Sequence, residues 1–250
     1  MRSFLIICVV LIMGITVFAS ERPFREDDML VMNQEEKPNP YQPNWATDSL
    51  NVSGVGRIPC FGEANDVFIV DTFAYVCMGY NLVIFNIKDQ SNPILLGYTD
   101  TPGWAYDVYI SGNYAYVAVV SSGLCIIDVS NPSSPTETGY YDTPGFAYGV
   151  YVSGSYAYVA DDDNGLRIIN ISNPSSPTEA SYYDTPGYAY SVYVSGSYAY
   201  VADGSYGLRI INISNPSSPT ETGYYDTPGI ACGVYVSGNY AYVADCDYGL

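Results

Sequence analysis

Residues 148–187 read YGVYVSGSYAYVADDDNGLRIINISNPSSPTEASYYDTPG, and this stretch decides the fold. Residues alternate between apolar and small or polar over 148–152 and again over 156–160, on either side of a Ser-Gly-Ser turn. A third run rich in β-branched residues covers 166–171, and a proline-bearing turn separates it from a fourth run over 178–183. The stretch therefore predicts four short antiparallel strands.

The same unit recurs at a fixed period. Asp-Thr-Pro-Gly begins at Asp100, Asp142, Asp184 and Asp226, in steps of 42 residues, and a more divergent copy precedes the first of these. Four strands in such a period are typical of one propeller blade, whereas helical repeats need Leu, Lys, Glu and Ala runs that this sequence lacks. We predict an all-β fold, a β-propeller of four-stranded antiparallel blades, with a parallel β-solenoid as the alternative.

The chain divides into three kinds of segment. The first twenty residues hold Arg2 and an apolar run that ends in small residues, which predicts a cleaved signal peptide and a secreted or cell-surface protein. Residues 21–55 are polar and proline-bearing, as in a flexible leader. The predicted repeats cover 56–97, 98–139, 140–181, 182–223 and 224–250. The last is partial, so we expect a fragment with an incomplete ring of four blades plus part of another.

One motif resembles a known family. Residues 165–174 read GLRIINISNP, with copies at 123–132 and 207–216, and the flanking YAYVAD and DTPG segments recur with them. This pattern is similar to the LVIVD-repeat family over residues 56–250. The resemblance implies exported propellers, mostly bacterial or archaeal and often attached to larger surface proteins, without a common activity.

Two turn predictions follow from the repeat. Thr185-Pro186-Gly187 suits a type II turn, in which proline fixes φ and the glycine supplies a positive φ. Asn170 and Asn212 lie in glycosylation sequons, but both align with Asp128. A column that accepts Asp or Asn predicts side-chain capping of the next turn rather than glycan attachment.

Charge excludes some partners. Eight basic residues face 26 acidic ones, for a net charge of −18, and the basic residues are scattered singly. Nucleic acid and anionic membranes are therefore disfavoured, and we predict no membrane insertion after signal cleavage. Residues 161–165, Asp-Asp-Asp-Asn-Gly, faintly resemble a calcium loop, but residues 119–123 are Val-Val-Ser-Ser-Gly in the preceding unit. We predict no cofactor, with calcium as the alternative.

Catalysis has little support in the sequence. The chain contains no histidine, which excludes Ser-His-Asp and Cys-His mechanisms. Asp66 and Asp107 depart from the repeat, but nothing in the sequence pairs either with an acid. We predict a non-enzymatic scaffold, and the alternative is a carboxylate-based glycan-processing enzyme, which would need two non-repeated carboxylates about 5–10 Å apart.

Five cysteines follow the signal segment, namely Cys60, Cys77, Cys125, Cys232 and Cys246. Their odd number and uneven spacing predict no disulfide framework. Cys232 and Cys246 could meet across one hairpin, and free thiols are an equal expectation.

A ligand-binding face follows from the meander. The second-to-third-strand turns and the blade-to-blade loops emerge on the same side of each blade, and loops on a rigid scaffold commonly carry binding. We expect this side to bind an extracellular protein or glycan. The predicted binding residues are acidic or aromatic: Trp104, Asp107, Tyr148, Asp161, Asp163, Tyr190, Asp203, Tyr206, Asp245 and Asp247.

Overall fold

The computed structural model describes residues 62–249. Four blades contain four strands each. Blade 1 contains β1 (Ala64–Val70), β2 (Phe73–Met78), β3 (Asn81–Asn86) and β4 (Ile94–Asp100). Blade 2 contains β5 (Ala105–Ser111), β6 (Tyr114–Val119), β7 (Gly123–Asp128) and β8 (Thr136–Tyr141). Blade 3 contains β9 (Gly149–Ser153), β10 (Tyr156–Ala160), β11 (Leu166–Asn170) and β12 (Thr178–Tyr183). Blade 4 contains β13 (Ser191–Ser195), β14 (Tyr198–Ala202), β15 (Leu208–Asn212) and β16 (Thr220–Tyr225).

A fifth blade begins with β17 (Ala231–Ser237) and β18 (Tyr240–Asp245), which pair as a two-stranded sheet. Every sheet is an antiparallel meander in chain order, which confirms the predicted fold class. The predicted signal and leader segments, and Cys60, lie outside the described residues. Within residues 62–249 we find no helix long and apolar enough to cross a membrane.

Blades 2, 3 and 4 are each covered by a neighbouring blade on both sides. Contacts run through the first strands, with β1 against β5, β5 against β9, β9 against β13 and β13 against β17. Ile168 and Ile169 point to opposite faces of β11, and neither has exposed surface. Three apolar clusters each span two adjacent blades of the first four. Packing between sheets therefore supplies the core, as the apolar pattern on both strand faces predicts.

A column of rings follows the first strands from blade to blade. Its members are Phe68, Tyr109, Tyr151, Tyr193 and Tyr235, with successive ring centroids 4.9, 4.7, 4.8 and 5.2 Å apart. Tilted and edge-to-face rings at such spacing attract one another beyond the area that they bury. The column therefore packs the first strands of neighbouring blades against one another, and it accounts for part of the high tyrosine content.

The predicted type II turn at Thr-Pro-Gly is wrong. Gly145 and Gly187 do not have the positive φ that this turn requires. A Cβ atom at either position would collide instead with a backbone carbonyl, that of Asp161 or Asp203 respectively. Glycine is needed there because the chain passes close to the neighbouring turn. Positive φ occurs in the first hairpin of the unit, as at Gly154 with φ 60°.

The predicted capping role of Asn170 and Asn212 is confirmed. The amide N–H of Ser172 donates to Asn170 Oδ1 across 3.0 Å, and Ser214 N–H donates to Asn212 Oδ1 across 2.9 Å. Asp128 accepts from Ser130 N–H in the same way across 2.8 Å. The shared geometry explains why the column accepts either Asp or Asn.

Candidate functional site

The second-to-third-strand turn of one blade meets the loop that leads into the next blade. Asp162 N–H donates to the Ala189 carbonyl across 3.2 Å, and Ala189 N–H donates to the Asp162 carbonyl across 2.9 Å. Gly204 and Ala231 make the same pair of bonds one blade further along. The two kinds of loop thus form one surface, as the meander predicts. We call this side of the blades the turn face.

Three aspartates fasten the loops of the turn face. Asp161 accepts from the Thr143 hydroxyl across 2.5 Å and from Gly145 N–H across 3.0 Å. Asp203 repeats both contacts, with Thr185 and Gly187 across 2.5 and 2.9 Å, and we call such a threonine–aspartate–glycine contact a lock. Asp245 repeats the second contact, accepting from Gly229 N–H across 2.8 Å, while the Thr227 hydroxyl donates to the Gly229 carbonyl. Blade 2 has Val119 at the corresponding place, and the Thr101 hydroxyl donates to the Gly103 carbonyl instead.

The locking aspartates are sealed from solvent. Asp161 and Asp203 are 0% exposed, and Asp245 is buried. Burial raises the pKa of Asp161 to about 6, an effect that hydrogen bonds from Thr143 and Gly145 partly offset. Burial likewise raises the pKa of Asp203. Because their oxygens are enclosed and already hydrogen-bonded, these carboxylates position the loops and do not reach the surface.

Five rings lie together on the turn face, and we call them the aromatic row: Tyr106, Phe146, Tyr148, Tyr188 and Tyr190. Tyr148 is central, with its ring centroid 5.0 Å from that of Tyr106 and 5.6 Å from that of Tyr190. Phe146 and Tyr188 flank the inner rings at 6.5 and 6.4 Å, and they are 49% and 51% exposed. The row therefore presents apolar ring surface to solvent.

The three inner rings of the aromatic row lie where the first strands of blades 2, 3 and 4 begin. In blade 2 the pairing shifts register between Ala105 and Asp107, so Tyr106 is the extra residue of a β-bulge. Tyr148 and Tyr190 occupy the same place in blades 3 and 4, directly before β9 and β13. Bulges re-aim side chains and are common beside functional sites.

Asp162 brings a carboxylate to the aromatic row. Its backbone has φ 51°, a left-handed conformation that glycine adopts most easily, and Gly204 holds the equivalent place with φ 57°. Burial raises the pKa of the Tyr148 and Tyr190 phenols, and Asp162 is the second cause in both cases. Burial also raises the pKa of Asp162, followed by the effect of Asp163. The rings thus lie in a negative field.

Asp66 and Asp107 form a carboxyl pair on neighbouring first strands. Asp66 accepts from Val108 N–H across 3.1 Å, and Asp107 accepts from Val150 N–H across 2.7 Å. The two carboxyl groups lie close enough for Asp66 to act on Asp107 by charge and by hydrogen bonding. Burial and the charge of Asp66 raise the pKa of Asp107 well above its usual range.

The other predicted site residues lie apart from this pair. Trp104 is half-buried and packs edge-to-face on Tyr80 at 5.4 Å. Tyr206 is exposed, and the Arg209 guanidinium lies 5.6 Å from its ring centroid. Asp163 and Asp247 are exposed. Asp163 accepts from the Asn164 side chain across 2.8 Å. Ligand binding by these four residues stays a prediction.

The predicted alternatives for the cysteines are settled for four of the five. Cys232 and Cys246 form a disulfide, so the expectation of free thiols there is wrong. Cys232 occupies the place of Tyr106, Tyr148 and Tyr190 in the fifth blade. Cys77 and Cys125 are free and buried in the cluster between blades 1 and 2.

Residues 62–249 contain no group of three or more metal-ligating His, Cys, Asp or Glu side chains. The segment that resembles a calcium loop begins at Asp161, whose carboxylate oxygens are both occupied by protein donors. A groove of about 580 Å³ lies elsewhere, between the outer strand of blade 2 and the Ser175–Pro177 turn. It is lined by none of the predicted site residues, and we give it no role.

The profile of the LVIVD repeat matches residues 61–101, 102–143, 144–185, 186–227 and 228–250. The chain belongs to the LVIVD-repeat family. No curated protein matches it significantly. The family assignment adds no residue role to the contacts described above.

Among solved structures, this LVIVD-repeat protein is similar to a functionally unknown protein from Desulfotomaculum acetoxidans DSM 771, at 16% identity and a TM-score of 0.60. The match covers 74% of this chain and 63% of that one. The computationally designed Ika8 protein matches at 7% identity and a TM-score of 0.61, over 75% of this chain and 57% of that one. The designed Ika4 protein matches at 5% identity and a TM-score of 0.52, over 64% and 94% respectively. At these identities the likeness concerns the fold alone.

Three features of the candidate site in this LVIVD-repeat protein were not predicted: Asp162 and Tyr106 as binding residues, and the contact between Asp66 and Asp107. Asp162 and Tyr106 are absent from the predicted binding residues, although Asp162 is the one non-glycine residue in that turn of blades 3 and 4 with a positive φ. The Asp66–Asp107 pair was also missed. A signal existed in the repeat alignment, because both acids stand where later units have Gly149, Ser191 and Gly233.

Proposed function

We propose that this protein is an exported, non-catalytic repeat scaffold that binds a protein or glycan partner through its turn face. The observation that carries the proposal is the aromatic row with Asp162 beside it. Exposed rings next to a carboxylate on a rigid sheet scaffold suit a ligand that combines apolar surface with polar groups. The locks at Asp161 and Asp203 hold the surrounding loops in place, so little ordering is needed when a ligand binds.

The charge of the described blades supports the same reading. Residues 62–249 hold three basic side chains, Lys88, Arg167 and Arg209. Arg167 is buried against Glu179, and Arg209 lies close to Asp203 and Glu221 within 4 Å. Nucleic acid requires clusters of exposed Lys and Arg, so we propose a partner that is neutral or cationic.

The Asp66–Asp107 pair favours a second candidate, a carboxylate-based glycan-processing enzyme. Both acids are non-repeated, and the pKa of Asp107 is raised well above its usual range. Their direct contact leaves no space for a sugar between them, however, and each accepts a backbone N–H from the next blade. Glycosidase carboxyls lie about 5 Å apart or more. We therefore favour a structural role for this pair.

An array experiment tests the proposed function. The labelled chain is applied to immobilised oligosaccharides and peptides, alongside a Phe146→Ser/Tyr188→Ser variant. A Tyr140→Ser/Tyr225→Ser variant is the control, because those rings are exposed on outer strands. We expect the first variant to lose the signals that the native chain gives and the control to keep them. Signals that survive in both variants would locate binding elsewhere and refute the proposal.

Hydrolysis assays separate the enzyme candidate. We expect the native chain to release no nitrophenol from a panel of nitrophenyl glycosides. Turnover that disappears in Asp107→Asn, with unchanged folding, would instead establish the carboxyl pair as catalytic.

A further inference from the structure

The aromatic row and Asp162 define more than a general contact surface. We propose that the turn face recognises a weakly hydrated alkylammonium group, with Asp162 as its counter-ion and the Tyr148 and Tyr190 rings as cation–π partners. This inference rests on the proposed function and names the ligand chemistry of the same site.

Asp162 lies beside the rings, because its backbone N–H and carbonyl pair with those of Ala189, which stands between Tyr188 and Tyr190. The phenol pKa values of Tyr148 and Tyr190 shift upward, and after burial the causes are Asp162 and neighbouring tyrosines. The faces of tyrosine rings are themselves negative, and they attract cations. An ammonium group over the row would therefore meet attraction from the rings and from the carboxylate together.

Of the three described basic residues, Lys88 lies in the turn between β3 and β4, and Arg167 is buried against Glu179 with its guanidinium 4.3 Å from the Tyr182 ring centroid. Arg209 lies between Asp203 and Glu221, near Tyr206 and Tyr224. None of these described basic residues forms an ion pair with Asp162 or a cation–π contact with Tyr148 or Tyr190.

Metal ions such as calcium take six or more oxygen ligands, whereas the row offers one carboxylate among rings, and residues 62–249 hold no metal-ligating cluster. A methylated ammonium sheds water easily and gains contact with ring faces. The site therefore suits an alkylammonium group better than a hydrated ion.

The backbone conformation at Asp162 allows a substitution that removes the carboxylate and keeps the turn. Gly204 occupies the equivalent place with nearly the same φ, so Asp162→Gly removes the carboxylate without a backbone conflict. Asp71 provides a matched control, because it also has a left-handed φ, of 53°, and lies in the β1–β2 hairpin on the opposite side of the blades. Gly112 takes the corresponding place in blade 2.

The test uses a peptide with one trimethyllysine and the same peptide with a neutral tert-butyl isostere. Tyrosine resonances of the full chain are followed by NMR during titration. We expect the cationic peptide to bind at least about tenfold more tightly than the isostere, and Asp162→Gly to weaken it about five- to tenfold. Asp71→Gly should bind like the native chain, since its charge lies on the opposite side of the blades.

The outcomes separate the two proposals. Equal binding of both peptides, or of neutral oligosaccharides, with no effect of Asp162→Gly would overturn the alkylammonium inference and leave the proposed function standing. Failure of every probe to shift the tyrosine resonances would also overturn the inference, and the array experiment would then decide the proposed function independently. Binding of free choline at the same resonances would support the inference and assign recognition to the ammonium group itself.

Discussion

The Thr143 hydroxyl donates to Asp161 Oδ1 across 2.5 Å, and this contact joins the loop that enters blade 3 to a turn within blade 3. Asp161→Ala should lower the free energy of unfolding by about 2–3 kcal/mol, because it leaves the Thr143 hydroxyl and Gly145 N–H without their acceptor. Urea denaturation measures the loss. Asp163→Ala, one turn residue away and exposed, should change stability by less than about 0.5 kcal/mol. Equal losses of unfolding free energy in the two variants would show that the Thr143–Asp161 contact does not stabilise the fold.

Stability should depend on pH through the same carboxyl. The folded-state pKa of Asp161 is about 6, above the usual 3.8, so the folded chain holds this proton more tightly than the unfolded chain. Its contribution is fully present below about pH 4 and is lost as pH rises through about 6. Asp161→Asn should flatten this dependence, with a difference of up to about 3 kcal/mol. Denaturation curves between pH 4 and pH 7.5 test it, and unchanged slopes would argue against the raised pKa.

The Asp66–Asp107 pair predicts a second pH effect of the same sign. Burial and Asp66 raise the pKa of Asp107 well above its usual range, so the stability that its proton provides is lost as pH rises through that value. Asp107→Asn keeps an acceptor for Val150 N–H and removes the like-charge contact. We expect its melting temperature to fall less than that of the native chain between pH 6 and pH 9. A parallel decline in both proteins would contradict the raised pKa of Asp107.

Reduction of the disulfide should act locally. Cys232 and Cys246 tie the start of β17 to the turn after β18, so loss of the bond frees the fifth blade first. Hydrogen exchange should accelerate in β17 and β18 on reduction, while β10 and β11 keep their protection. Uniform acceleration throughout the chain would show that the bond stabilises the whole fold.

Cys77 and Cys125, the free thiols within residues 62–249, should resist alkylation in the native chain. Burial raises the pKa of Cys125 to about 12 and that of Cys77 well above its usual range. Neither forms the reactive thiolate at pH 8, and Cys77 and Cys125 are both 0% exposed. Iodoacetamide should label them only after denaturation, which mass spectrometry of digests can measure. Rapid labelling of either site in the native chain would contradict its burial.

Strand positions could be predicted well, because turn residues and the alternation of apolar with small or polar residues are local features of the sequence. The predicted runs over 156–160 and 178–183 coincide with β10 and β12. The reason for Gly187 could not be predicted in the same way, since it depends on the carbonyl of Asp203, sixteen residues further along the chain. Local patterns allow a turn type, but a close approach between distant segments appears only when they pack.

The candidate site was only partly predictable for a similar reason. Tyr148 and Tyr190 were identified from the meander, which brings loops of neighbouring blades to one side. Asp161 and Asp203 were predicted as ligand contacts because acids in turns are usually exposed, yet tertiary packing encloses both. Asp66 and Asp107 lie 41 positions apart, and their contact depends on the adjacency of first strands around the sheets.

The Thr143–Asp161 lock crosses the border between two family repeats, since one ends at residue 143 and the next begins at 144. A graft of residues 144–185 into another scaffold would lack Thr143, the residue that donates to Asp161. A graft that begins at Asp142 would contain both Thr143 and Asp161. Engineered duplications of this chain should therefore place the boundary of each unit directly before Asp-Thr-Pro-Gly. Each added blade then contains the threonine and the aspartate of its own lock.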